Sequence, residues 1–219
     1  MTGVQPVRAS RPPLLVAHRG GESAEDLKAA LAAGADLVEV DVHLFRGRLE
    51  LGHARPIGPF LVDGVRIRGR ADRRGLADVV GALGGEDRLM LDLKGTSVQV
   101  GAEVARLVAE HAPGAALTVC SKAWPMLDAL VPPVRRVLSA GSRRSLNALR
   151  QQLATPGAPP AYGVSVRLRL LTPKVVAELH ERVERVLAWT ITTPAEVARA
   201  RSLGVGGLIG PDVDLLRSS

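Results

Sequence analysis

Four short polar clusters in this 219-residue chain combine residue types that can bind a metal ion and move protons: His18-Arg19-Gly20, Glu39-Val40-Asp41, Gly52-His53 and Asp92-Leu93-Lys94. Glu39, Asp41 and Asp92 offer only hard oxygen donors, the set that favours Mg²⁺ or Ca²⁺. For any one of them alone, an ion pair with a nearby arginine is the simpler reading. Together, between apolar neighbours, they read as ligands of one divalent cation. His18 and His53 are a candidate acid and base, since imidazole gives and takes protons near neutral pH. Arg19 and Lys94 are cationic groups suited to a phosphate, Arg19 as a two-pronged donor and Lys94 as a point charge; the alternative for Lys94 is an ion pair with Asp92. Glu22 precedes a predicted helix, which it could simply cap. Trp189 ends an apolar run, either lining a pocket or packing in the core. His43 falls on the same strand face as Asp41 and would support it, whereas His111 and His180 end predicted helices, where a cation is favoured for structural reasons.

Each cluster follows an apolar run, such as Leu14-Leu15-Val16-Ala17 or Leu89-Met90-Leu91. A carboxylate or imidazole inside a buried strand is costly unless paired or bound, so polar groups at successive strand ends imply one shared pocket. Strands are predicted near 14–18, 37–43, 89–93, 117–120, 135–139, 163–166, 185–190 and 206–209. Helices are predicted near 23–33, 75–84, 98–111, 123–130, 142–153, 172–182 and 194–203. Gly34 and Gly204 are helix stops, and Pro173 and Pro194 sit in first-turn positions. Eight alternating units imply an α/β fold, a (β/α)8 TIM-type barrel. A doubly wound sheet is the alternative, but no Gly-x-Gly-x-x-Gly turn follows the first strand.

A hairpin interrupts the alternation after the second strand. Taking Arg46-Gly47-Arg48 as a three-residue loop pairs Phe45 with Leu49, His43 with Leu51 and Asp41 with His53. Residues 54–74, with Pro56, Gly58, Pro59, Gly64 and Gly69, read as a long connection at the catalytic end, acting as a partial lid. Residues 1–219 read as one domain, with 1–12 a flexible N-terminus.

Composition bounds the function. Hydrophobic residues make up 46% of the chain and aromatics 2%, which calls for an aliphatic core and argues against a base-stacking surface and hence against nucleic acid. The net charge of +7 comes mainly from arginines spread along the chain; the densest stretch, Arg66 to Arg74, reads first as a solvated loop. No apolar run approaches the ~20 residues of a membrane span, which leaves only transient membrane-surface contact. The N-terminus lacks a signal-peptide core, and Cys120 is the only cysteine, so a cytoplasmic location is expected. Ser121 and Cys120 have no local base or nucleophile elbow, which argues against serine or cysteine catalysis. The sequence leaves the oligomeric state open.

The chain resembles the glycerophosphodiester phosphodiesterase family. His18-Arg19-Gly20 looks like the family's opening motif, and Gly34-Ala35-Asp36-Leu37-Val38-Glu39-Val40-Asp41-Val42 its second block. Gly52-His53 falls at the second histidine and Asp92-Leu93-Lys94 at the acidic-x-Lys block. Trp189-Thr190-Ile191 and Gly204-Val205-Gly206-Gly207-Leu208-Ile209 resemble the closing blocks. The resemblance implies a hydrolase of lipid metabolism that uses one divalent cation and two histidines to convert a small-molecule glycerophosphodiester to glycerol 3-phosphate and an alcohol. Departures from the pattern bear on the substrate: Gly21-Glu22-Ser23 shortens the first loop, omits an Asn and leaves Glu22 as the acidic remnant of that block, which would bind a substrate hydroxyl unless it only caps the helix; Ala54 follows His53 where Asp is usual; Asp92 replaces a Glu; and Gly210-Pro211 replaces Thr-Asp. They point to an open site and to two alternatives, a lysophospholipase D-like enzyme and a catalytically degenerate phosphate-binding barrel.

Overall fold

A computed structural model describes residues 12–53, 55–57, 60–63, 66–67, 75–82 and 87–218. The strands are β1 (Leu14–Ala17), β2 (Leu37–Phe45), β3 (Arg48–Leu51), β4 (Arg55–Ile57), β5 (Phe60–Asp63), β6 (Arg66–Ile67), β7 (Leu89–Leu93), β8 (Thr118–Ser121), β9 (Arg135–Ala140), β10 (Gly163–Arg167), β11 (Arg185–Trp189) and β12 (Gly207–Gly210). The helices are α1 (Ala24–Ala32), α2 (Leu76–Ala82), α3 (Gln99–His111), α4 (Arg143–Ala154), α5 (Pro173–His180), α6 (Pro194–Ser202) and α7 (Val213–Arg217).

Eight parallel strands run in the order β1-β12-β11-β10-β9-β8-β7-β2, and β2 pairs back onto β1 to close the barrel. The predicted TIM-type architecture is therefore the one observed. Closure leaves no parallel edge strand and sends every strand's C-terminal end to one rim. Strand alternation divides the side chains between two cores. Outward-facing aliphatics such as Val38, Val40, Leu89, Leu91, Val164 and Val166 pack against the helices. A smaller interior cluster of Val16, Leu37, Met90, Cys120, Val137, Leu187 and Ile209 fills the barrel. The interior is tight: a Cβ on Gly207 would lie 2.4 Å from Leu187 Cδ2, so glycine there makes room for the leucine.

Helix starts follow local chemistry. Ser23, Ser142, Thr172, Thr193 and Asp212 cap α1, α4, α5, α6 and α7 with side-chain oxygens, satisfying amides with no partner in the first turn. Gly34 (φ 88°) and Gly204 (φ 71°) adopt the left-handed conformation that ends α1 and α6.

Four details differ from the sequence reading. The β2–β3 hairpin pairs Phe45 with Arg48, Leu44 with Leu49, His43 with Glu50 and Val42 with Leu51, one residue away from the expected register. Its loop is the two residues Arg46 (φ 50°) and Gly47 (φ 76°), and a pair of left-handed residues matches the twist of the strands they join. Asp41 consequently faces Gly52, whose N–H donates to the Asp41 carbonyl (2.9 Å). The described part of 54–74 is not a plain connection but a three-stranded antiparallel sheet, β4-β5-β6, with Pro56 on an edge strand where its missing N–H is tolerated. The expectations for 1–11 and 68–74 lie outside the described residues. The predicted helix at 123–130 is a single 3-10 turn, Trp124–Leu127. It packs so closely on α3 that a Cβ on Gly101 would sit 1.6 Å from the Met126 carbonyl oxygen, and Pro132-Pro133 close the segment. Helix α7 was not expected; Asp212, its cap, was the available signal.

Candidate active site and metal centre

At the C-terminal rim lies a cavity of about 750 Å³, lined by His18, Arg19, Glu39, Asp41, His53, Asp92, Lys94 and Trp189 among others. The shared pocket inferred from strand-end polar groups is thus present. Glu22 alone among the candidate residues is outside the lining; it immediately precedes the α1 cap Ser23.

The first cluster is fixed by two backbone contacts. The His18 N–H donates to the Gly210 carbonyl (2.8 Å), tying the end of β1 to β12. Arg19 takes a left-handed conformation (φ 60°), unusual for a residue with a long side chain. Its N–H then donates to Glu39 Oε2 at 2.9 Å. His18 Nε2 lies 3.8 Å from the same oxygen. Burial and the Arg19 charge depress the His18 pKa to about 4, so its imidazole is neutral at pH 7.

The carboxylates come from adjacent strands. Glu39 and Asp41 project inward from β2, and β7 pairs with β2 so that Asp92 stands beside Asp41. One oxygen from each of the three lies within 4.8 Å of the others. Lys94 Nζ contacts Asp41 Oδ1 at 2.8 Å and also pairs with Asp92. The 2.8 Å contact is an ion pair without the alignment of a hydrogen bond, so Asp41 Oδ1 still accepts no hydrogen bond. Burial alone would raise the Asp41 pKa, but Lys94 outweighs it and holds the group low. Burial raises Asp92 despite Lys94. Burial, with Asp41 and Asp92 close by, raises Glu39 well above the usual carboxylate range. The two aspartates conversely raise the Lys94 pKa over the cost of its burial. Three converging carboxylates thus share one ammonium, and Glu39 is held toward its neutral form. An oxygen-only donor set short of positive charge fits a hard divalent cation.

Other groups share the cavity: His43, expected on the Asp41 face, and several not singled out as site residues. His43 lines it with Nε2 buried and unpartnered, and burial lowers its pKa. Cys120 lies on β8 beside Asp92; burial, with Asp92 and Glu39, keeps its thiol protonated. Ser139, Ser165 and Lys122 complete the wall toward Trp189. Lys122 could have been found by position, since it follows the β8 strand end as His18 follows β1. Ser121 does not line the cavity; its hydroxyl donates to the Leu93 carbonyl (3.0 Å) and accepts from the Ala123 N–H (3.0 Å), a structural role. Among the described residues no helix is long and apolar enough to cross a membrane.

No protein-family model matches the chain, and no curated protein sequence does. Solved structures match along nearly its whole length. A phosphodiesterase from Oleispira antarctica, in complex with the product sn-glycerol-3-phosphate, is 17% identical over 94% of this chain and 95% of its own, with a TM-score of 0.73. A glycerophosphodiester phosphodiesterase from Thermotoga maritima is 16% identical over 94% and 98%, with a TM-score of 0.74. One from Parabacteroides distasonis is 17% identical over 95% and 97%, with a TM-score of 0.72. At these identities the likeness establishes the shared fold.

Proposed function

We propose that this chain is a metal-dependent phosphoric diester hydrolase that converts a glycerophosphodiester to glycerol 3-phosphate and an alcohol. The observation that carries the reading is the meeting of two histidines, three carboxylates and two cationic side chains in one cavity at the barrel rim where such enzymes act. Glu39, Asp41 and Asp92 would hold Mg²⁺ or Ca²⁺. When bound, such an ion neutralises charge on a phosphoryl group undergoing substitution. Arg19 and Lys94 bind the non-bridging phosphate oxygens. His18, neutral at pH 7, accepts a proton from the attacking water as the new P–O bond forms. His53 gives a proton to the departing alkoxide as the old P–O bond breaks, so the net change is addition of one water. Trp189 walls the substrate.

One observation favours a lysophospholipid as the diester. Ile57 and Phe60, paired across the β4–β5 hairpin that emerges just after His53, are 58% and 49% exposed. Assays of glycerophosphodiesters beside lysophospholipids, with Mg²⁺ or Ca²⁺ and in excess chelator, test the proposal. Release of glycerol 3-phosphate from a glycerophosphodiester, or of its acylated form from a lysophospholipid, that stops with chelator and is lost in Glu39→Gln is expected. Metal and diester binding without turnover would replace the enzyme by a binding barrel.

A further inference from the structure

Lys122 stands apart from the other cationic groups of the cavity. It follows β8, is exposed, and places its ammonium 4.8 Å from the centroid of the Trp189 ring. Trp189 ends β11, and β9 and β10 lie between. The two side chains meet because residue 141, just past β9, is glycine: a Cβ there would lie 3.1 Å from Trp189 Cη2, 3.4 Å from Cζ2 and 3.9 Å from Lys122 Cε. Lys94 pairs with Asp41 and Asp92, whereas Lys122 has no carboxylate partner among the described residues. The indole N–H of Trp189 is buried without an acceptor beside it.

The charge balance of the cavity gives this pair a purpose. Among the described lining residues, Arg19, Lys94 and Lys122 face Glu39, Asp41 and Asp92, three positive charges against three negative once a bound cation has ionised Glu39. A divalent cation on the carboxylates leaves two positive charges in excess, and the single negative charge of a phosphodiester neutralises only one. Lys122, which pairs with none of the three carboxylates, is one bearer of the residual positive charge. The aromatic face of Trp189 would otherwise attract a quaternary ammonium head group; here the protein's own ammonium occupies it and repels any other cation.

We infer that Lys122, held on Trp189, forms a second anion subsite that selects diesters carrying an additional carboxylate or phosphate and disfavours cationic head groups. The inference rests on the phosphodiesterase reading for its substrate class, but its test by binding does not. Titration calorimetry in Mg²⁺ compares sn-glycerol 3-phosphate with 3-phosphoglycerate, which differ by one carboxylate. A charge-assisted contact corresponds to a preference of about tenfold or more for 3-phosphoglycerate. Lys122→Met should reduce that preference to about twofold or less, and Lys122→Arg should retain most of it. Unfolding midpoints of both variants should match the wild type, since the side chain is exposed. A wild-type protein with no preference, or a Lys122→Met variant that keeps it, overturns the subsite. In parallel, kcat/KM for glycerophosphoinositol 4-phosphate should exceed that for glycerophosphocholine, and Lys122→Met should narrow the gap; an unchanged gap also counts against the subsite. Anion preference without hydrolysis of any diester would leave the subsite standing and sink the enzymatic reading.

Discussion

Replacing Lys94 with methionine separates the counter-charge role of this residue from every other account of the site. The Asp41 side chain is 2% exposed, Asp92 16% and Lys94 28%, and the ammonium touches both carboxylates. Removing one partner of a buried ion pair costs about 3–5 kcal/mol, because the remaining charge stays buried without compensation. Partial access of solvent to Lys94 and Asp92 places the cost at the lower end, about 3 kcal/mol. For a chain of this size each kcal/mol moves the unfolding midpoint by about 2–4 °C. Lys94→Met in excess chelator should therefore unfold about 6–12 °C below the wild type. The three carboxylates remain, so a divalent ion can take over the lost charge. Saturation to a hundred times the dissociation constant returns about 2.7 kcal/mol, and thermal unfolding followed by circular dichroism in millimolar Mg²⁺ should recover most of the deficit. Phosphodiesterase activity should stay low, since a phosphate-binding cation is gone. A variant as stable as the wild type in chelator would refute the counter-charge argument. A loss of stability that neither Mg²⁺ nor Ca²⁺ reverses would refute the metal centre.

Further outcomes follow from other parts of the molecule. His18→Ala and His53→Ala should each lower kcat by 10²–10⁴-fold, the usual worth of a general acid or base, while calorimetric Mg²⁺ affinity changes little; equal activity in either variant removes that histidine from the reaction. Gly101→Ala should cost about 1–3 kcal/mol or more in denaturant unfolding because the new Cβ meets the Met126 carbonyl at 1.6 Å, where an open helical site would instead gain stability. Glu196 accepts from the Thr192 N–H (2.8 Å), the Thr192 hydroxyl (3.0 Å) and the Thr193 N–H (3.2 Å), and the Thr192 N–H first among these lowers its pKa. Its contribution is full above the unfolded-state value and is lost as pH falls through the lower folded value. Glu196→Ala should cost about 1 kcal/mol at pH 7 and nothing below that window; a constant deficit down to pH 2 would deny the ionised cap.

The eight barrel strands were legible in the sequence because each carries a short aliphatic run, several of them ending in a polar group, and α1, α4, α5 and α6 because serine, threonine and proline announce their starts. The site was legible for the same local reason: strand alternation alone sets Glu39 and Asp41 on one face, and burial makes an inward carboxylate too costly to be accidental. The hairpin register was not, because a three-residue and a two-residue loop both fit the local composition, and the left-handed pair Arg46-Gly47 is decided by which pairing buries Leu49 and Leu51. The helix expected at 123–130 gave way to one turn because its space is set by contact with Gly101 on α3. Pairing of Lys94 with Asp41 as well as Asp92 depends on β7 lying beside β2, and that of Lys122 with Trp189 on the curvature that brings the β8 and β11 ends together. A side chain's periodicity is a property of its own strand, but which strand ends face each other across the rim is fixed only when β2 hydrogen-bonds back to β1. The sequence by itself determined which residues turn inward; the closed barrel decided which of them meet.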